Sequence, residues 1–448
     1  MQIHDRVAQG QENWAFSVGI QAYIWGLPIV KCWNDRLEKM KILAAEHAGA
    51  ADLYVVNSFR HDRSLASGES SEFVNAATDF LYSLAVVDLS NGPLRLASPD
   101  LQGRWYGLQL LDPYMNTVAN VGTRQFGDQL PSIIIATEEQ DLSVSDNAHI
   151  IRGESPYLYI VGRIAADTNE DLSSVHSLQD SFKFERVSGD APLTEPAKGT
   201  SLPLNPADSN CPAELFFFES LGQVLKFVPP KGSEMALENL FKEIGLSVEN
   251  GFDYSTLSEP MKKGLARAAS FAQSILDDKI YEAGEIINGW SLVRDVGEYH
   301  GNYIVRALVS LHGIWANVPD EALYFMARTD SDGNLLNGNN RYEIRFSANA
   351  TPPVDAFWSI CYYDDQGRLV QNSKNRHAIN SLYSELSTNP DGSISILIER
   401  ESTSGISEMD NNCLPSHNGN FNLNLRCYNP KEELLSGEYE LPLVVKLQ

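Results

Sequence analysis

The spacing of apolar residues changes several times along this chain, and each change restricts what its segments can become. Between residues 12 and 48, Trp14, Val18, Ala22 and Trp25 recur every three or four positions, the period of a helix with one buried face. Gly26-Leu27-Pro28 predicts a break, with a second helix over Leu37 to Ala48. From 52 to 165 the period shortens toward two. Short strands are predicted over 81–89, 94–96, 105–111, 132–136 and 157–164, parted by turn formers such as Asn91-Gly92-Pro93 and Pro99-Asp100. Residues 186–214 are polar, proline-rich and aperiodic, which predicts a long surface loop or linker. Helical spacing returns behind Ser258-Glu259-Pro260 through Met261, Leu265, Ala268, Phe271 and Ile275, and again over 299–316. Beyond Pro319 alternation takes over, cleanest in 341–346, 393–398 and 420–426.

That order predicts an α+β protein. It divides into an N-terminal mixed α/β part (1–185), a linker or long loop (186–214), a helical middle (215–324) and a C-terminal antiparallel β-sandwich, jelly-roll-like (325–448). At 448 residues, no disulfide or metal is needed to hold a core. The 5 cysteines show no CxxC spacing and read as small, reduced, buried hydrophobes. Lys and Arg number 34 against 59 Asp and Glu, a net charge of −25. This balance speaks against nucleic acid, whose phosphates require clustered cations, and against an anionic membrane surface. The N-terminus lacks a signal pattern and no stretch approaches 18 consecutive apolar residues, so a cytoplasmic protein without a membrane span is expected. The partners that remain are a small-molecule substrate and other protein, including a homo-oligomer paired through sheet edges.

Three stretches carry a resemblance. They are Asp79-Phe80-Leu81-Tyr82-Ser83 with Asp88-Leu89-Ser90-Asn91-Gly92-Pro93, the segment 108–116 (Leu-Gln-Leu-Leu-Asp-Pro-Tyr-Met-Asn), and the segment 351–359 (Thr-Pro-Pro-Val-Asp-Ala-Phe-Trp-Ser). Together they resemble the tandem family of domains of unknown function 1254 (N-terminal) and 1214 (C-terminal), in family order over about residues 15 to 445. The resemblance implies an N-terminal α+β part, a helical middle and a C-terminal sandwich, and it implies no reaction. Where the family motif reads Asn-x-Asp-Thr-Leu-Tyr-Ser, this chain has Ala77 for the Asn and Phe80 for the Thr. The family's Asn-Trp-Leu-Pro stands here as Asn412-Cys413-Leu414-Pro415. A ring in place of a hydroxyl at Phe80 would reshape any pocket the motif lines, which fits a divergent substrate or a lost catalytic role.

No GxSxG, GxGxxG, Walker A or HExxH pattern occurs, and no histidines pair at ligand spacing, so neither cofactor nor metal is expected. A metal site assembled from distant residues is a weaker third reading. The richest polar cluster is 57–63, where His61, of a residue type whose unperturbed pKa lies close to working pH, could act as a general base, or simply sit in a solvated loop with Asn57. Asp79 and Tyr82 combine an acceptor with a donor suited to a substrate hydroxyl; otherwise Asp79 caps a turn and Tyr82 packs. Arg104, Arg124 and Arg163 lie among strand residues, either paired with acids such as Asp88 and Asp112 or forming an anion clamp. Trp358 could wall a pocket or belong to a core.

Two functions follow as expectations. One is a cofactor-independent enzyme that uses Asp79, Tyr82 and His61 for acid–base chemistry, with Asn57, Phe80, the three arginines and Trp358 binding substrate. Hydrolysis, isomerisation or cyclisation are the reactions in view. The other is a non-catalytic ligand-binding or assembly protein. Convergence of the three catalytic candidates on one pocket would favour the first, and dispersal the second.

Overall fold

Leu81, Ala85 and Val87 bury one face of the strand Phe80–Asp88 while Leu84 and Val86 bury the other. A strand covered on both sides must lie inside a layered structure, and this one does. The structure, a computed structural model, describes residues 3–48, 55–69, 74–97, 99–142, 147–166, 169–189, 193, 209–400 and 410–447. The protein is α+β. Phe59–His61, Phe80–Asp88, Tyr157–Ala165, Tyr106–Leu111 and Thr117–Gly122 form, in that order, an antiparallel five-stranded sheet. His149–Gly153, Ile133–Thr137, Leu94–Ala97 and Lys183–Arg186 form a four-stranded sheet, whose Ile133 and Ile135 share an apolar core with Leu81 and Val87. The expected linker 186–214 lies mostly outside the described residues.

The opposite face of the five-stranded sheet is covered by helices. Ile3–Ala48 is one helix and runs through the expected break at Gly26-Leu27-Pro28. Pro28 forfeits one backbone hydrogen bond, but Trp25, Ile29 and Trp33 on either side are buried in the core with Leu84, Val86 and Tyr159. Gly26 is a point of close approach, since a Cβ there would collide with Leu221 of the helix Phe216–Phe227. By length and composition the stretch Ile3–Arg36 would suffice to cross a membrane, although no long unbroken apolar run marks it; 67% of its most apolar part is buried inside the protein. The helix Glu259–Lys279 begins where expected, with Ser258 at its cap position, but the Ser258 hydroxyl donates to Gln11 instead of capping. Its buried face is Gly264, Leu265, Ala268, Ala272 and Leu276, whereas Phe271 is 51% exposed. Small residues take the contact because the first helix crosses it very closely.

In the C-terminal part, Glu285–Ile287, Trp290–Leu292, Ala322–Ala327, Phe421–Tyr428, Trp358–Asp364 and Ala378–Asn380 form a six-stranded sheet. Two of these strands come from the segment read as helical middle. Cys413–Ser416, Ile394–Arg400, Arg341–Phe346 and Val444–Leu447 form a second sheet. Ile344, Ile396 and Ile398 of this sheet share one core with Leu323, Phe325, Leu423 and Leu425 of the first. Phe421–Tyr428 departs from its alternating sequence in one respect: every residue is buried, including Asn422, Asn424 and Arg426. Its polar side meets the N-terminal part instead of water. The five cysteines are buried and unpaired, and burial pushes the Cys32 thiol up to about 12.

Candidate functional site

Arg426 lies on the strand Phe421–Tyr428, in register with Tyr324 on one neighbouring strand and Ser359 on the other. It is 3% exposed. Its Nη2 donates to the Asn75 carbonyl at 2.6 Å, while its buried Nη1 has no acceptor. Asn75 adopts a left-handed backbone (φ 55°) and acts as a junction. Its N–H donates to the Gly367 carbonyl at 2.7 Å and its side-chain amide to the His312 carbonyl at 2.7 Å, so one residue joins the N-terminal part, the last helical turn of Tyr303–His312 and the C-terminal sheet.

These three parts line a half-open cavity of about 150 Å³. Across it from the C-terminal sheet, Tyr82 and Arg163 are direct cross-strand neighbours, with the guanidinium carbon 5.8 Å from the phenol ring centre. Arg163 is 5% exposed and donates to the Trp315 carbonyl at 2.7 Å and to Gln109 and Asn317 at 3.3 Å. All of these acceptors are neutral. Trp315 reaches its position through a left-handed backbone (φ 62°), unusual for so bulky a residue. One wall is apolar, built from Ile280, Val296, Val305, Leu308, Val309 and Met326. No carboxylate lines the cavity among the described residues. Polar atoms at its edge lack partners: Nε2 of His312 and the Oδ1 atoms of Asn75 and Asn424. Burial lowers the His312 pKa and raises that of Tyr82, so the imidazole is neutral and the phenol protonated near pH 7.

Beside the cavity, Asp79 is 1% exposed. Its Oδ2 accepts from the Ser359 hydroxyl at 2.8 Å and its Oδ1 from the Asn380 amide at 2.9 Å. The segment around Asp79 is thus clamped to the one around Ser359. Residues 56–186 match the family described as "Protein of unknown function (DUF1254)", and residues 321–432 match "Protein of unknown function (DUF1214)". The chain belongs to this tandem family. No curated protein matches it. Among solved structures, the VPA0106 protein of Vibrio parahaemolyticus aligns with 97% of this chain and 100% of its own at 22% identity and TM-score 0.68, a likeness of fold. A putative uncharacterized protein from Burkholderia cenocepacia aligns over 97% and 96% at 12% identity and TM-score 0.45.

In this DUF1254–DUF1214 protein the two halves of the pair meet at the cavity rim, but the expected catalytic trio does not converge. Tyr82 lines the cavity; His61 pairs with Ser83, the next residue along, and so stands on the opposite face of the sheet. There its Nδ1 is 2.8 Å from the Ser83 hydroxyl, and burial depresses its pKa to about 4. Asp79 does not line the cavity, and both its oxygens are engaged. Asn57 serves the sheet edge, accepting from the Asp88 N–H at 2.8 Å and donating to the carbonyls of Asp88 and Leu193. Phe80 does line the cavity, its ring 5.0 Å from that of Tyr82 and 5.8 Å from that of Tyr428.

The arginines separate by role. Arg104 pairs with Asp171 and Arg124 with Glu321, at 2.7 and 2.6 Å, so neither takes the expected Asp88 or Asp112. Asp112 closes its own turn by accepting from Tyr114 and Asn116. Only Arg163 of the three faces the cavity. Trp358 packs in the C-terminal core, 5.1 Å from Phe346. Among the described residues no three His, Cys, Asp or Glu side chains gather to hold a metal ion. Reasoning from sequence missed Arg426, Asn424, Asn75 and His312. Arg426 and Asn424 lie on the polar half of an alternating strand, which reads equally well as a solvated face.

Proposed function

We propose that this protein is an enzyme acting on a small organic molecule held in the cavity, by acid–base chemistry and without a cofactor. The observation that carries the reading is the presence, among the residues lining one cavity, of His312, whose Nε2 is unpartnered, and of Tyr82 with its phenol. A neutral imidazole can take a proton and a protonated phenol can donate one, which is the minimum that hydrolysis, isomerisation or cyclisation asks for. His312 replaces His61 as the base, and Tyr82 keeps its expected role. Asp79 supports the wall rather than the reaction, since its lone pairs hold Ser359 and Asn380.

The test is to incubate the full-length protein with fractionated small-molecule extracts and follow consumption by mass spectrometry. The wild type is expected to consume a species that His312→Gln and Tyr82→Phe leave intact, with both variants retaining the wild-type circular dichroism spectrum. A second reading, a ligand-binding protein without chemistry, draws on the dispersal of His61 and Asp79. It is supported if a small molecule is retained through gel filtration and recovered unchanged.

A further inference from the structure

Within the cavity, charge and shape are unevenly distributed. Its polar end carries two buried guanidinium groups. Arginine does not lose its proton in proteins, so each remains a charge to be balanced. Buried charges are ordinarily paired, because an isolated one is costly. Arg163 rests on neutral acceptors only, and Arg426 leaves Nη1 buried with no acceptor at all. Asp79 is near enough to feel the charge of Arg426, but it is already hydrogen-bonded to Ser359 and Asn380 and lines no part of the cavity. A buried guanidinium with an unfilled N–H, on a residue that lines a cavity without carboxylates, is a receptor for an anionic oxygen.

Two further features narrow the class. Asn424 stands two residues from Arg426 on the same side of its strand, and its unpartnered Oδ1 calls for a hydroxyl or amine donor. The wall built from Ile280, Val296, Val305, Leu308, Val309 and Met326 offers apolar contact only. A cavity of roughly 150 Å³ takes a single benzene-sized body. Resting on the reading of this cavity as the functional site, we propose that its ligand is a small monocarboxylate with a compact apolar body, its carboxylate on Arg426 and a neighbouring hydroxyl or amine on Asn424. The carboxylate supplies the acceptor Nη1 lacks, and the hydroxy acid supplies the donor Asn424 lacks.

Calorimetric titration of the full-length protein with benzoate, mandelate, benzyl alcohol and inorganic phosphate tests this without reference to turnover. Mandelate is expected to bind more tightly than benzoate, and both more tightly than benzyl alcohol. Arg426→Gln should weaken mandelate by about tenfold to hundredfold, the loss of one charge-assisted hydrogen bond, and leave benzyl alcohol unchanged. Should Arg426→Gln fail to fold, the ranking on the wild type decides alone. Benzyl alcohol matching benzoate, phosphate matching mandelate, or no saturable carboxylate binding at millimolar concentration would each overturn the proposal. Carboxylate binding in a protein that consumes nothing would overturn the enzyme reading and leave this one standing.

Discussion

His61 and Arg426 show that a polar residue's worth depends on which face of its sheet it occupies. His61 lies opposite the cavity, where desolvation and the neighbouring Arg63 depress its pKa to about 4. An unfolded histidine titrates near 6.5. Between those values the unfolded chain binds a proton that the folded chain refuses, so His61 costs stability progressively as pH falls from about 6.5 toward 4. The loss should reach roughly 2–3 kcal/mol at the acid end. Asp112, raised to about 6 by burial, works in the opposite direction over part of the window. It is common to both proteins when wild type is compared with His61→Gln. The denaturation free energies of the two should therefore diverge on acidification, with the variant losing less between pH 7 and pH 4.5. Parallel curves would mean that His61 is protonated at ordinary cost in the folded protein. Phe80 illustrates the converse case: its ring is absorbed by a cluster with Trp105, Phe357 and Tyr428, which leaves it at the cavity edge as a wall.

Among the elements, the two longest helices owe their crossing to glycine. A Cβ on Gly264 would collide with the Glu12 carbonyl, and one on Gly19 would stand 2.8 Å from the Ala268 methyl. Gly10, in the same first helix, has nothing within 4 Å. One chemical change should thus have opposite effects at two sites. Gly10→Ala should stabilise by about 0.5–1 kcal/mol through helix propensity, whereas Gly264→Ala should destabilise by about 1–3 kcal/mol because backbone must move. Urea midpoints read both, and equal signs would mean that the crossing is looser than the structure shows. The strand 341–346 was legible because its residues alternate between core and surface, and those around 81–89 and 105–111 because they are short apolar runs rich in strand formers between turns. What covers the second face was not. The run Asn420 to Arg426 reads as one apolar and one wet side, but its polar side faces Asn75 and the cavity, because a distant segment lies across it. Pro28 and Gly26 misled for the same reason: a local breaker signal gave way to the burial of Trp25, Ile29 and Trp33. The family motifs located the rim of the site through Tyr82, Asp79 and Ser359. His312 sits outside them, in a helix end that looks like any other.

Across the whole molecule, the two matched segments are bound to each other by buried polar ties as well as by apolar area. Asp79 is held by Ser359 and Asn380, and Tyr363 donates to the Ala76 carbonyl at 2.6 Å. Arg426 donates to Asn75, and at the exposed margin Arg124 spans to Glu321. Phe80 and Trp105 interlock with Phe357 and Tyr428. Ties of this kind couple the stability of both parts, since neither can open without stranding buried groups of the other. Ser359→Ala removes one donor from a buried carboxyl group and should cost about 1–3 kcal/mol. The loss should appear on both sides of the interface. Hydrogen exchange is expected to speed up together in the strands Phe80–Asp88 and Phe421–Tyr428, which belong to different matched segments, and joint acceleration would mark them as one cooperative unit. Acceleration confined to Phe421–Tyr428 would mean that the parts open independently. The cavity between them would then be a hinge instead of a preformed site, and its ligand would have to draw the two parts together on binding.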